Sequence, residues 1–143
     1  MKDYAPAGSG ENAVAVVFDK DSGVQQNLGY GIEVFGARGS CITLEVADIH
    51  LNRQGIVHGG ILSLLLDVAM GYACSGKFSD DAQTPAITLS MSTSYLASVG
   101  SGKVIATGRV TGGGYKILFA EAVLTAESGV VIATSSGTMK RGG

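Results

Sequence analysis

His58, Gly59, Gly60 and, a little further on, Asp67 place chemically capable groups inside one apolar stretch, QGIVHGGILSLLLDVAMGYACSG, residues 54–76. An unpaired carboxylate in apolar surroundings costs several kcal/mol or shifts its pKa. A chain that keeps one there needs a use for it. Two glycines at a helix start leave backbone N–H groups open to a ligand atom at the positive end of the helix dipole. Such amides stabilise a developing oxyanion. Asp67 offers a nucleophile or a general base, and His58 a group that orients the loop or hydrogen-bonds the same carbonyl.

Spacing adds a constraint. Gly59 and Asp67 are eight positions apart, about 12 Å along a helix axis. Reacting groups must approach within roughly 3–3.5 Å. One helix cannot easily set both against a single carbonyl, whereas two antiparallel copies can. The spacing therefore predicts a site in which the Gly59 end of one protomer faces Asp67 of another.

The elements that must hold these groups follow from pattern. Residues 1–10 read as a loosely held tail, and 11–143 as a single domain. ENAVAVVF (11–18) reads as a short helix from its Glu-Asn start, against the strand preference of its valines. Residues 29–49 read as two β segments meeting at GARGS, with Ile42, Leu44 and Val46 alternating as in a half-buried strand. From Gly60 to about Cys74 the chain is too long for one strand and apolar nearly all round, which predicts a helix buried on most faces. A polar loop (76–85) precedes strands at 86–96, 103–111, 115–126 and 130–139, joined by the hairpin-type linkers ASVGSG, GGG and ESG. The simplest packing is α+β: an antiparallel sheet wrapped around one long central helix.

The 143-residue chain has a formal net charge of −2 and no run of Lys or Arg, which argues against a nucleic-acid footprint. Charged residues are 15% and apolar residues 45%, against roughly 25% charged in an average domain. So little charge predicts surface hidden against copies of the same chain. No apolar run approaches the ~20 residues of a membrane span, and the N-terminus lacks a signal-peptide pattern. The expectation is a soluble cytoplasmic protein without a membrane partner. Cys41 and Cys74 sit in apolar segments and read as buried reduced thiols. No Cys/His cluster has metal-ligand spacing, so neither metal nor cofactor is expected.

Residues 52–71, NRQGIVHGGILSLLLDVAMG, resemble the Asn-x-x-Gly-x-x-His-Gly-Gly-(x)6-Asp-x-x-x-Gly signature of hotdog-fold acyl-CoA thioesterases, specifically the phenylacetate-pathway (PaaI-like) branch. The strand order from about residue 29 to residue 139 fits that fold. The resemblance implies that Asp67 is the catalytic acid and Gly59 the N–H donor to the thioester carbonyl. It implies that His58 and Asn52 position carbonyl and water, and that Thr88 helps hold the attacking water. Gly55, Gly60, Tyr72 and Lys116 complete the implied substrate-binding set. The family works as dimers, often paired into tetramers, with acyl-CoA bound at the subunit interface. Basic residues near the entrance contact the CoA phosphates, and Lys116, Arg109, Arg53 and Arg141 are the candidates here. The resemblance implies an aryl or arylacetyl group as the acyl part, or a medium-chain fatty acyl.

Each residue also has a plainer reading. Asp67 can pair with a structural partner, His58 can be a satisfied structural histidine, and Asn52 can be a turn residue. Thr88 needs no reason beyond β-branching to occupy a strand. Cys74 as a thiol nucleophile beside His58 is disfavoured by the sixteen positions between them. TGGGYK (111–116) lacks the following helix of a phosphate-cradling loop and reads as a hairpin. Two rival functions share the fold, an acyl-CoA sensor without turnover and an acyl-thioester hydratase or dehydratase.

Overall fold

The long central helix is the element around which the rest is arranged. The computed structural model describes residues 15–142, so the N-terminal tail expected at 1–10 lies outside the described residues. In it the helix runs from Gly59 to Phe78, four residues past the expected end, and the polar loop shrinks to 79–85. Leu62, Leu65, Leu66, Ala69, Met70, Ala73 and Cys74 are all buried. They recur every three or four positions, as one face of a helix must. Ile61, Leu64, Val68 and Tyr72 are only partly buried, and Asp67 belongs to this second, half-open face. The expectation of burial on most faces is thus refined: one face is sealed and the other is only partly buried in the single chain.

The helix is also longer than the apolar runs expected from the sequence. This 20-residue helix is long and apolar enough to cross a membrane by length and composition, with half of the relevant window buried inside the fold. Its sealed face packs on the sheet, which makes it the core helix of this domain.

The sheet has seven antiparallel strands: β1 (Val16–Phe18), β2 (Gly31–Val34), β3 (Ser40–Glu45), β4 (Ala86–Tyr95), β5 (Lys103–Gly113), β6 (Ile117–Ala126) and β7 (Val131–Arg141). Their spatial order is β1-β2-β3-β5-β6-β7-β4. A short helix α1 (Gly23–Leu28) lies between β1 and β2, and the core helix is α2 (Gly59–Phe78). The helix presses close on the sheet where Gly108 of β5 meets it. A Cβ on Gly108 would stand 2.3 Å from the Ala69 carbonyl oxygen, and the Ser40 hydroxyl donates to that same oxygen at 2.6 Å. This antiparallel sheet around one helix is the hotdog fold.

Three readings of the sequence are corrected. Val16–Phe18 is strand rather than helix, because its residues pair with Ile32–Val34 of β2 and β-branched valines suit a pleated surface; residues 11–14 of that segment lie outside the described residues. The helix sits later, at α1, with the Ser22 hydroxyl accepting the Gln25 N–H and Gly29 closing it at φ 83°. Finally, ASVGSG is not a hairpin. β4 pairs with β7, Ala86 opposite Arg141 and Tyr95 opposite Ala133, so residues 96–102 carry the chain from the sheet's edge to its middle. On the way the Val99 carbonyl accepts the Val57 N–H at 2.8 Å, which fixes the loop leading into α2.

Candidate active site

Asp67 does not stand unpaired. The Thr88 hydroxyl, from the start of β4, donates to Asp67 Oδ1 at 2.6 Å. Both residues line a cavity of about 370 Å³ between α2, the start of β4 and the β1–α1 segment. Tyr72 lines it as well, its ring packed at 4.9 Å and 55° against Phe18 and its hydroxyl donating to the Asp21 carboxylate. Burial raises the Tyr72 phenol pKa, and the hydrogen bond and charge of Asp21 raise it further. The Tyr30 phenol is raised by burial too, against a lowering hydrogen bond with Ser22, and the negative charges of Asp21 and Asp67 add to the rise. The cavity is thus a tyrosine-walled recess with two carboxylates in it.

At the other end of the exposed helix face stand the residues of the His-Gly-Gly motif. His58 is the N-cap of α2, and its Nδ1 accepts the Gly60 N–H at 2.8 Å. That bond assigns the proton of the neutral ring to Nε2, which has no hydrogen-bond partner among the described residues. It also occupies the Gly60 amide. The Gly59 amide makes no hydrogen bond within the described residues, and only the Tyr95 ring lies close, 3.5 Å from where a Cβ would be. Asn52 Oδ1 accepts the N–H groups of Gln54 at 3.0 Å and Ile56 at 3.3 Å, the Asx-type turn of the plainer reading. Gly55 sits in the same loop at φ 78°.

The single chain therefore brings Asp67, Thr88 and Tyr72 together, and His58, Gly59, Gly60, Asn52 and Gly55 together, without joining the two groups. Helix geometry separates Gly59 from Asp67 by about 12 Å. Among the described residues no three His, Cys, Asp or Glu side chains form a set able to hold a metal ion.

The model of the thioesterase superfamily matches residues 54–133, from just before the His-Gly-Gly motif to the start of β7. The chain belongs to that superfamily. It is 33% identical over 96 residues to a Pseudomonas aeruginosa protein named "Putative esterase PA0474", spanning 66% of this chain and 69% of that one. Among solved structures it is similar to the conserved protein PA5202 of Pseudomonas aeruginosa, with TM-score 0.76, 30% identity and coverage of 84% and 94% of the two chains. It shares its fold with the PaaI protein of the E. coli phenylacetic acid degradation operon, at TM-score 0.77, 22% identity and 87% coverage of each chain.

In this thioesterase-superfamily chain the candidate basic residues separate. Arg109 is held by Glu121 on the neighbouring strand, 2.6 Å away, and Arg53 is exposed in the loop before α2. Lys116 and Arg141 come together beside Tyr115 around a cavity of about 340 Å³ that Lys140 also lines. The Arg141 guanidinium lies 4.3 Å from the Tyr115 ring centre and 5.0 Å from that of Phe78. An adjoining cavity of about 620 Å³ adds Lys77 and the glycine hairpin 112–114. Lys77, Lys140 and Asp21 were not singled out from sequence. The two lysines lie far apart in the chain, Lys77 on α2 and Lys140 on β7, and they line adjoining cavities only because the helix packs on the sheet. Asp21 carried no motif.

Proposed function

We propose that the protein hydrolyses acyl-CoA thioesters to the free acid and CoA, in sites shared by two protomers. The observation that carries this reading is the Asp67–Thr88 pair in a recess on the open face of a helix whose first free amide, Gly59, lies a full 12 Å or so away. A second copy docked antiparallel would bring its Gly59 amide to that carboxylate. The strand beside the recess favours such docking: β4 is a sheet edge with Ile87, Leu89 and Tyr95 each more than half exposed, and apolar edges invite pairing.

In this reading the Gly59 N–H of one protomer, aided by the helix dipole, stabilises the oxyanion formed on the thioester carbonyl. Asp67 of the other either takes a proton from the attacking water or attacks the carbonyl carbon itself, giving a mixed anhydride that water then opens. In both routes the C–S bond breaks and CoA leaves as the thiolate. Thr88 holds the Asp67 carboxylate in place. Lys77, Lys116, Lys140 and Arg141 supply positive charge for the CoA phosphates, and aryl, arylacetyl or medium-chain acyl groups occupy the recess.

The test is a panel of acyl-CoAs assayed with a thiol reagent. CoA release that drops at least a hundredfold in Asp67→Asn and Asp67→Ala supports the reading. Wild-type turnover by either variant overturns the role of Asp67. Tight binding without CoA release would make the protein a sensor, and a change in double-bond absorbance would make it a hydratase.

A further inference from the structure

The acyl recess contains a second carboxylate that the reaction does not need. Asp21 is exposed, and both its backbone and its side chain are hydrogen-bonded. Its N–H donates to Gln25 Oε1 at 2.7 Å. Gln25 is buried, and its Nε2 donates to the carbonyls of Phe18 at 2.7 Å and Tyr30 at 3.1 Å. The Tyr72 hydroxyl then holds Asp21 Oδ2, while Oδ1 accepts no hydrogen bond within the described residues. None of the residues lining the recess is Lys, Arg or His. The cations lie in the cavities around Arg141 instead. The anionic end of CoA therefore has its counter-charges there, and the acyl end has the recess.

We propose that Asp21, held by Tyr72, is a specificity-determining residue that excludes acyl groups ending in a carboxylate and admits those ending in a neutral group. The proposal rests on the thioesterase reading above. A terminal carboxylate entering the recess meets negative charge with no cation among the described residues that line it. A neutral terminus meets the rings of Phe18 and Tyr72 and finds Asp21 Oδ1 open to any hydroxyl it carries. For unit charges about 6 Å apart in a half-solvated site, Coulomb's law gives a repulsion equivalent to roughly tenfold in an equilibrium or rate.

The experiment compares acyl-CoAs that differ only in a terminal carboxylate: adipyl with hexanoyl, and 4-carboxyphenylacetyl with phenylacetyl. The readout is the ratio of kcat/KM within each pair, which cancels the common contribution of CoA. Wild type is expected to favour the neutral member by about tenfold or more, and Asp21→Asn to bring the ratio about tenfold closer to one. A salt series on wild type needs no variant. Raising NaCl from about 0.02 M to 0.5 M shortens the screening length severalfold and is expected to narrow the preference. A ratio near one in wild type, or one that moves with neither Asp21→Asn nor salt, overturns the inference while leaving hydrolysis intact. Absence of CoA release from all four thioesters overturns the thioesterase reading, and this inference with it.

Discussion

The proposed shared site makes a sharp demand on Gly59, and the local geometry supplies a substitution aimed at one atom. Gly59→Pro removes the amide hydrogen and little else. Proline is favoured at the first position of a helix, where the N–H has no intrahelical partner. It requires the preceding residue to be extended, and His58 already is, at φ −57° and ψ 133°. Gly59 itself has no positive φ, and an added Cβ meets only the Tyr95 ring, at an ordinary 3.5 Å. The fold should therefore accept the change with a melting temperature within a few degrees of wild type. Loss of one oxyanion donor costs about 10²–10³ in kcat, and that is the expected drop. Co-expressing this variant with Asp67→Asn under two tags, and isolating the mixed dimer, then tests the sharing. In the mixed dimer one site pairs the intact Gly59 of one chain with the intact Asp67 of the other, and the second site has neither. Two nearly inactive parents should give a dimer with about half the wild-type turnover, as two-fold symmetry requires. A mixed dimer no faster than its parents would refute the shared site, and Gly59→Pro turning over at the wild-type rate would refute the amide donor.

Thr88→Val removes the 2.6 Å hydrogen bond to Asp67 with little change of shape. Bonds to charged groups are worth about 1.5–3 kcal/mol, so steady-state assays should show kcat/KM falling roughly 10- to 100-fold, with Thr88→Ser recovering most of it; an unimpaired valine variant would return Thr88 to its plainer role. Gly108→Ala should destabilise the fold by about 3 kcal/mol or more, because the new Cβ meets the backbone carbonyl of Ala69 at 2.3 Å and neither helix nor strand can yield cheaply; urea midpoints check this. Burial pushes the Cys74 thiol from its ordinary 9.0 up to about 12, and burial with the charge of Glu33 pushes Cys41 to about 11. The unfolded chain then releases these protons near pH 9 while the folded chain keeps them. Stability is complete below pH 9 and falls as pH rises toward 11, by at most about 1.4 kcal/mol per pH unit for each thiol. Denaturation series at pH 8 and pH 10 on wild type and Cys74→Ala measure it, and a slope that the substitution leaves unchanged would contradict the assignment.

The helix, the β2–β3 hairpin and the last three strands were legible because local pattern determines them. Leu62, Leu65, Leu66, Ala69 and Met70 mark a helix face wherever they occur, and glycine runs mark tight turns. Two things depended on the whole fold. β4 follows α2 and precedes β5, so sequence order suggested a β4–β5 hairpin. Pairing with β7 instead closes the sheet around the helix, and no local signal encodes that choice. The half-open face of α2 was hidden for a related reason: Ile61, Leu64 and Val68 look like core residues, and only the position of the sheet reveals that the same chain covers them in part. At the site, the motif residues were legible by type and spacing, and the plainer reading of Asn52 as a turn residue matches its hydrogen bonds. Asp21 was not legible, since its place in the recess depends on Gln25, Tyr72 and the missed helix α1. That helix had its own signal in Ser22 and Gly29, obscured by the valines before it.

The low charge content, the open helix face and the carboxylate on it have one physical connection. Asp67 is joined to β4 through Thr88, and Thr88 sits between Ile87 and Leu89, whose side chains are both about half exposed. The carboxylate is thus tied to the exposed edge strand beside the partly buried face of α2. Covering the apolar part of that edge and face is favourable, at roughly 25 cal/mol for each Å² removed from water. The same event strips water from Asp67, which by itself is costly. A structural carboxylate at this position would oppose assembly. It makes sense if the covering surface brings a hydrogen-bond donor and positive potential to the same place, and the free Gly59 amide at a helix N-terminus offers both. In the proposed dimer the apolar surface would provide the free energy that holds the carboxylate in a partly dry site, where electrostatic stabilisation of a transition state is strongest.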